Sequence, residues 1–251
     1  MVFLYIITLL FILYAFNILN YWLAWKEIPD YILETKEPSI KLSVLVPARN
    51  EEKNIVLLLE ALKKQTYPAE LFEVIVVDDH STDSTPAIVR GFPFVKLIRL
   101  EEEGINSYKK KAIEKGIEQA SGQLVVTTDA DCIPSPDWLK TIAAFKEEKN
   151  AVFIAAPVVF SHNNSALQLF QSLDFLVLQG ITAASVHKRV HSMCNGANLA
   201  YERNAFEAVN GFSGIDTIAS GDDMLLMHKI AKKHPLQIHY LKTKDAIVTT
   251  S

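Results

Sequence analysis

The chain has 251 residues, of which 49% are hydrophobic and 22% are charged, and its formal net charge is −4. This length suits one well-packed domain with an appendage, and the mildly acidic balance without a basic block argues against nucleic acid as a partner. Cys132 and Cys194 lie far apart without metal-ligand spacing, which argues against a disulfide framework and a zinc site. We interpret both as reduced, small buried side chains.

The first predicted element is an uncharged helix over residues 2–25. A helix of that length reaches about 36 Å, which exceeds the ~30 Å hydrocarbon core of a bilayer. Trp22 and Trp25 at its far end resemble an interfacial aromatic belt, and Lys26 follows. Since no signal-peptide features are evident, we predict a single-pass anchor over 1–25 in the cell (inner) membrane. Lysines after the helix favour a cytoplasmic catalytic domain, and a buried core helix is the alternative.

After a polar juxtamembrane linker over 26–40, apolar strand-like runs alternate with helical patterns. The predicted strands are 41–47, 72–77, 94–100 and 123–128, and the predicted helices are 51–65, 83–90 and 108–120. This alternation predicts the α/β class, with a Rossmann-like, mostly parallel sheet flanked by helices. In such sheets ligands bind beyond the carboxyl ends of the strands.

Polar clusters follow three of these strands, at residues 47–52, 78–85 and 129–131, so we expect them to converge at one sheet edge. Asp129 and Asp131 point the same way in an extended segment. Two like charges so arranged repel each other unless a cation lies beside them. A hard divalent cation takes carboxylate oxygens and suits diphosphates. We therefore predict Mg²⁺ or Mn²⁺ at this pair, completed by a phosphate-bearing ligand.

Further motifs follow in a specific order along the chain. The set comprises 46–52 (VPARNEE), 77–85 (VDDHSTDST), 109–117 (KKKAIEKGI), 128–131 (TDAD), 195–201 (NGANLAY), 210–212 (NGF) and 220–223 (SGDD). With these residues the chain resembles the family-two glycosyltransferases with the GT-A fold, from about Leu42 onwards. The resemblance implies a GT-A domain over 41–251.

The resemblance also implies the chemistry. It implies an inverting transferase of the EC 2.4 class that moves a sugar from a nucleotide-sugar, expected to be UDP-linked, to a hydroxyl. The acceptor would be a glycan or a lipid-linked molecule. The implied nucleotide-binding residues are Pro47, Ala48, Arg49, Glu51, Asp78, Asp79, Lys109 and Asp129, with Asp79 favoured over Asp78 for the uracil or ribose.

The remaining implied roles concern the donor sugar, the metal and the base. Asn195, Gly196, Ala197 and Asn198 would help to form the donor-sugar pocket. Asp131 would ligate the metal, with Asp129 beside it. Asp223 would be the catalytic base, next to Asp222, in the position of the family's Glu-Asp pair. It precedes an amphipathic pattern over 224–230, and a helix N-terminus favours an ionised carboxylate. Plain helix capping is the alternative.

Several interpretations stay open at this stage. The chain could be a non-catalytic, membrane-anchored nucleotide-sugar-binding module. A nucleotidyltransferase is less favoured, because its phosphate loop is usually glycine-rich and residues 46–51 contain no glycine. Membrane-bound processive relatives continue with a Gln-x-x-Arg-Trp motif, so we expect a C-terminally truncated chain with weak or no transfer activity. Residues 165–187 read either as a core helix or as a helix on the membrane near a lipid-linked acceptor.

Overall fold

The structure is a computed structural model that describes residues 1–33, 38–161 and 165–250. Its helices are, in chain order, α1 (Val2–Glu27), α2 (Ile55–Lys63), α3 (Thr85–Arg90), α4 (Tyr108–Glu118), α5 (Trp138–Lys149), α6 (Ala166–His187), α7 (Arg203–Ala208) and α8 (Asp222–Lys233). Its strands are β1 (Leu42–Ala48), β2 (Phe72–Asp78), β3 (Val95–Arg99), β4 (Leu124–Thr127), β5 (Cys132–Pro134), β6 (Phe153–Ala155), β7 (Val158–Phe160), β8 (Leu199–Glu202), β9 (Ile238–Tyr240) and β10 (Val248–Thr250).

The predicted division into an anchor, a linker over 26–40 and a domain over 41–251 stays a prediction. Residues 34–37 of the linker and residue 251 of the domain lie outside the described residues.

The central sheet has the strand order β3-β2-β1-β4-β8-β6-β9. The first four of these strands are parallel, and β9 is parallel to β6, whereas β8 is antiparallel to both of its neighbours. The predicted α/β class with a mostly parallel sheet is therefore confirmed, with β8 as the antiparallel exception. The strand ends are aligned, because Ala48 pairs with Asp78 and Asp78 with Arg99. This alignment brings the loops after β1 and β2 to one edge.

The core lies on both faces of the sheet. Val44 and Val46 of β1 share one buried cluster with Leu58 of α2, whereas Leu45 shares the opposite cluster with Ile113 of α4. Strands covered on both faces carry continuous apolar runs, which explains why β1 and β2 were readable from the sequence. Each such buried side chain contributes about 1.5–3 kcal/mol relative to an exposed one.

Helix α2 begins later than predicted, at Ile55 rather than Glu51. The backbone N–H of Glu51 donates to Thr85 Oγ1 (2.8 Å), and that of Glu52 donates to Asp83 Oδ2 (3.1 Å). These bonds to the loop after β2 hold the residues before α2 in a turn. Residues 51 and 52 therefore join the loop after β1 to the loop after β2 instead of forming the first turn of α2.

A second, small sheet covers the end of the large one. Strand β10 lies between β5, to which it is antiparallel, and β7, to which it is parallel. Strand β10 thereby lies next to Cys132–Pro134, which directly follows Asp129 and Asp131 in the sequence.

Two helices in the described part of the chain, α1 and α6, are long and apolar enough to cross a membrane, judged by length and composition. They pack against each other. Their C-terminal ends are tied together, because Glu27 Oε2 lies 2.6 Å from Lys188 Nζ and 3.1 Å from His187 Nε2. The predicted helix over 165–187 is confirmed as α6.

Candidate active site

The loops after β1 and β2 are joined into one wall by hydrogen bonds. Asn50 N–H donates to Ser81 Oγ (2.9 Å), and Thr82 N–H donates to Asn50 Oδ1 (2.8 Å). Asn50 has a left-handed backbone with φ of 55°, which short amide side chains tolerate. Local side-chain-to-backbone bonds of this kind fix a loop without regular structure. The wall is therefore preorganised.

Asp79 and Asp78 face different partners. Asp79 is buried, with Oδ2 3.5 Å from Arg49 Nη1 and Oδ1 2.8 Å from His80 Nδ1, and its N–H donates to the Ala48 carbonyl. Asp78 lies 3.9 Å from Arg99, and its buried Oδ1 has no hydrogen-bond partner among the described residues. Asp79 therefore lies beside Arg49 in the wall. Pro47 and Ala48, the last residues of β1, directly precede Arg49.

A flat surface at this wall was not predicted from the sequence. The ring of Tyr108 lies 5.7 Å from the Arg49 guanidinium and 5.7 Å from the His80 ring, which stands almost perpendicular to it. An aromatic ring beside a guanidinium suits stacking against another flat π-system. The only sequence signal for Tyr108 is its position directly before Lys109. His80 contacts both Asp79 and Tyr108.

Lys109 lies at the centre of an acidic cluster. Its Nζ is 2.6 Å from Asp129 Oδ1 and 4.0 Å from Asp222 Oδ2. Burial alone would lower the Lys109 pKa, but the carboxylates of Asp129, Asp222 and Asp223 outweigh burial and raise it. A Cβ added to Gly196 would lie 3.4 Å from Lys109 Nζ and 3.5 Å from Asp222 Oδ2. Residues from four separate segments therefore meet around one ammonium group.

Asp223 does more than cap a helix. The N-cap of α8 is Gly221, with φ of 71°, and Asp223 Oδ2 reaches a different segment, where it accepts the Gly196 N–H at 3.0 Å. Burial, assisted by the neighbouring Asp222, raises the Asp223 pKa above its ordinary value, although hydrogen bonds from Met224 and Gly196 and the charge of Lys109 oppose the shift. A carboxylate with a raised pKa is a better proton acceptor.

Of the predicted donor-sugar residues, Asn198 uses its side chain for hydrogen bonds within the protein. Its buried Oδ1 accepts from Trp138 Nε1 (2.9 Å), and its Nδ2 donates to the carbonyls of Pro157 and Ala246 (both 2.8 Å). Asn195 Oδ1 accepts the Ala197 N–H at 3.0 Å. Asn198 therefore shapes the 195–198 turn, and within this turn Gly196 borders the Lys109 cluster.

Asp131 fits a metal ligand by its surroundings. Its Oδ2 accepts from Thr250 Oγ1 (3.0 Å), and no cationic side chain pairs with it anywhere in residues 1–33, 38–161 and 165–250. No group of three or more potential ligands forms in that same part of the chain. One or two carboxylates completed by substrate phosphates are the usual magnesium arrangement. Asp129, in contrast, is already paired with Lys109.

The two cysteines are free. Burial, followed by the charges of Asp129 and Asp131, raises the Cys132 pKa to about 12, and burial near Asp223 and Asp222 raises the Cys194 pKa well above its ordinary value. The thiolate is the reactive form, so both act as neutral filler at physiological pH.

Comparison with known proteins decides the family. The sequence model of Glycosyl transferase family 2 matches residues 43–209. The chain belongs to this family. Glycosyltransferase AglE of Haloferax volcanii is 32% identical over 184 residues, which cover 72% of this chain and 58% of AglE.

Solved structures give the same fold. The mannosyltransferase PcManGT of Pyrobaculum calidifontis, in complex with GDP-Man and Mn²⁺, has a TM-score of 0.67 at 25% identity and covers 94% of this chain and 64% of that one. Staphylococcus aureus TarS 1–349 in complex with UDP has a TM-score of 0.62 at 26% identity, covering 84% and 61%. The predicted GT-A fold is confirmed. The chain spans less than two thirds of the length of these proteins.

Proposed function

We propose that this family-two member is an inverting glycosyltransferase that moves a sugar from a UDP-linked donor to a hydroxyl of a glycan or lipid-linked acceptor. The observation that carries the proposal is the cluster around Lys109, which gathers Asp129, Asp222 and Gly196 beside the predicted base Asp223. A nucleotide wall, a metal carboxylate and a base then lie around one cleft.

The nucleotide is assigned to the wall formed by the loops after β1 and β2. Tyr108 and Arg49 offer a flat surface to the base, and Asp79 offers a carboxylate to the uracil or ribose. Uridine is supported by the UDP complex of TarS, and the GDP-Man complex of PcManGT makes guanosine the competing donor nucleotide. Glu51, whose N–H donates to Thr85, supports this wall from behind.

The diphosphate is assigned to the space between Lys109 and Asp131. Asp131 would hold Mg²⁺ or Mn²⁺, and the metal, when bound, neutralises charge that builds on the leaving diphosphate. Lys109 stays protonated because its pKa is raised, so it can donate to a phosphate oxygen while it holds Asp129. The Mn²⁺ in the PcManGT complex supports this cofactor assignment.

Asp223 is assigned as the base that accepts the proton of the attacking hydroxyl. The Gly196 N–H fixes one of its oxygens, and the Met224 N–H fixes the other. Attack from the face opposite the diphosphate inverts the anomeric centre. Asp222, 4.0 Å from Lys109, would tune the charge of the cluster without touching the acceptor.

The protein is proposed to sit at the cell membrane, anchored by α1 with its catalytic domain in the cytoplasm. The uncharged run over 2–25 and the exposure of that helix support the anchor.

The first test is calorimetric titration of the purified protein with UDP and with GDP, each with and without Mn²⁺, on wild type and Asp131→Ala. We expect metal-dependent UDP binding that is lost in the variant. Binding of GDP alone would change the donor and keep the mechanism. UDP binding without any sugar transfer to hydroxyl acceptors would favour the non-catalytic binding module.

A further inference from the structure

The first half of α6 exposes its apolar side chains, which is the reverse of a surface helix in a water-soluble domain. Its exposed apolar residues are Leu167, Leu169, Phe170, Leu173, Leu176, Val177 and Leu178. The covered side, in contrast, carries Gln168, Ser172 and Gln179 together with Phe175. A surface helix in water shows the opposite arrangement, with its apolar stripe towards the core.

The angular positions around the helix sharpen this pattern. At about 100° per residue, Phe170, Leu173 and Val177 fall on the arc opposite the covered side. Gln171 and Asp174, the exposed polar residues of this stretch, fall on one flank of that arc. A helix that lies in a membrane interface shows this arrangement, with one apolar arc and polar residues beside it.

Helix α1 gives the direction of the bilayer. It packs against α6, and Glu27 joins their C-terminal ends through His187 and Lys188. Both apolar helices therefore meet the folded body at the same place. If α1 crosses the bilayer, the C-terminal end of α6 lies at the surface that α1 enters.

Aromatic and cationic side chains surround this meeting point. Lys26 Nζ lies 4.2 Å from the Trp22 ring centre, and Lys242 Nζ lies 4.5 Å from that of Trp25. Arg189, just beyond α6, is exposed, and its backbone N–H donates to the Val186 carbonyl. Tryptophan rings and basic side chains are the groups that favour the headgroup region of a bilayer.

We propose that the first half of α6, residues 166–178, is a lipid-binding surface that lies in the headgroup–acyl boundary beside α1. This inference rests on the membrane anchor in the proposed function and deepens it. The second half of α6 is buried, with Ala183 and Val186 in the core, and the chain then continues to the 195–198 turn of the cleft. The surface would therefore hold the cleft at the bilayer, where a lipid-linked acceptor presents its hydroxyl.

The test uses the full chain in vesicles of phosphatidylcholine and phosphatidylglycerol. A photoreactive benzoylphenylalanine replaces Phe170 or Leu173, and after irradiation the covalent adducts are identified by mass spectrometry. Phe11 of α1 serves as the membrane reference. Leu57 of α2 is the matched control, because its exposure of 56% equals the 55% of Leu173 but it lies on a helix remote in sequence from α6. We expect phospholipid adducts at Phe170 and Leu173 at several times the yield at Leu57.

Two outcomes would overturn the proposal. Adducts at Phe11 without lipid adducts at Phe170 and Leu173 would leave the anchor and remove α6 from the membrane. Cross-links from Phe170 or Leu173 to a second copy of the chain would show that a protein covers this surface. UDP binding is measured on the same samples, so failure of the nucleotide site is scored separately from failure of the lipid surface.

Discussion

Lys109 and Asp129 form an ion pair in which Nζ lies 2.6 Å from Oδ1. The same ammonium lies 4.0 Å from Asp222 Oδ2. It is therefore the group that allows three aspartates to share a half-buried site, since like charges in such a site repel strongly. Four predictions concern this region and the fold that supports it.

Replacing Lys109 with Ala should weaken UDP binding about tenfold to a hundredfold, because a charge-assisted hydrogen bond is worth about 1.5–3 kcal/mol. The acidic cluster would also be left without its cation and would repel the diphosphate. Calorimetry with UDP and Mn²⁺ measures the change. Lys111→Ala is the control, since among the described residues Lys111 pairs only with Glu102 (3.9 Å) and Glu114 (3.7 Å) at the helix surface. Equal losses in both variants would contradict the assignment.

Replacing Asp223 with Asn should reduce sugar transfer about a hundredfold to ten-thousandfold, the usual range for a general base, and leave UDP affinity nearly unchanged. In the wild type, the raised Asp223 pKa means that protonation begins at a higher pH than for an exposed aspartate. We therefore expect kcat/KM to fall as the pH drops through this raised pKa and to be constant above it. An unchanged pH profile in a residually active variant would exclude Asp223 as the base.

Lys110 holds the segment that leads to the base. Its buried Nζ donates to the Ile218 carbonyl and, at 2.9 Å, to the Ser220 carbonyl, just before Gly221, the N-cap of α8. Lys110→Met keeps the aliphatic stem and leaves both carbonyls without a donor, at a cost of about 1–3 kcal/mol. We expect kcat to fall about tenfold while UDP affinity stays constant, because each 1.36 kcal/mol is tenfold in rate.

The readout for Lys110 separates positioning from binding. Steady-state kinetics give kcat, and calorimetry gives the UDP dissociation constant. Lys111→Met serves as the control, because its surface ion pairs are worth about 0–1 kcal/mol. A loss of UDP affinity equal to the loss of kcat would show that Lys110 acts on the whole domain.

Two glycines should respond in opposite directions to alanine. A Cβ on Gly122 would lie 2.5 Å from the Leu42 carbonyl carbon and 2.6 Å from the Ser43 nitrogen, both of which are backbone atoms. Gly122→Ala should therefore destabilise the fold by about 1–3 kcal/mol. Gly180, in the middle of α6, has nothing within 4 Å of an added Cβ. Gly180→Ala should stabilise by about 0.5–1 kcal/mol, and thermal unfolding of the two variants compares them.

The parallel half of the sheet was predictable because its strands are buried on both faces. Continuous apolar runs such as 44–46 and 74–77 indicate such strands locally, and the polar residues after them mark the ligand edge. The position of Asp129 and Asp131 shortly after β4 was readable for the same reason, whereas their separate partners Lys109 and Thr250 were not.

The strands in the second half of the chain could not be predicted in this way. Strands β5, β6, β7, β9 and β10 have three residues each, which is too short for any period to show. Strand β8 directly follows Asn198, whose side chain donates to the carbonyls of Pro157 and Ala246, more than 40 positions away. Neither the burial of Lys110 nor the contact of Lys109 with Asp222 has a local sequence signal, since each joins residues more than a hundred positions apart.

The hydrogen bond from Thr250 to Asp131 has a consequence for how the protein matures. These residues are 119 positions apart in the chain. The ribosome synthesises the residues of the wall around Asn50 and of the Lys109–Asp129 pair long before it synthesises Thr250. During synthesis, Asp131 therefore lacks the Thr250 hydroxyl that donates to it until β10 has been made. If Asp131 holds the metal as proposed, metal affinity should rise when β10 enters between β5 and β7, and it would report that step of folding.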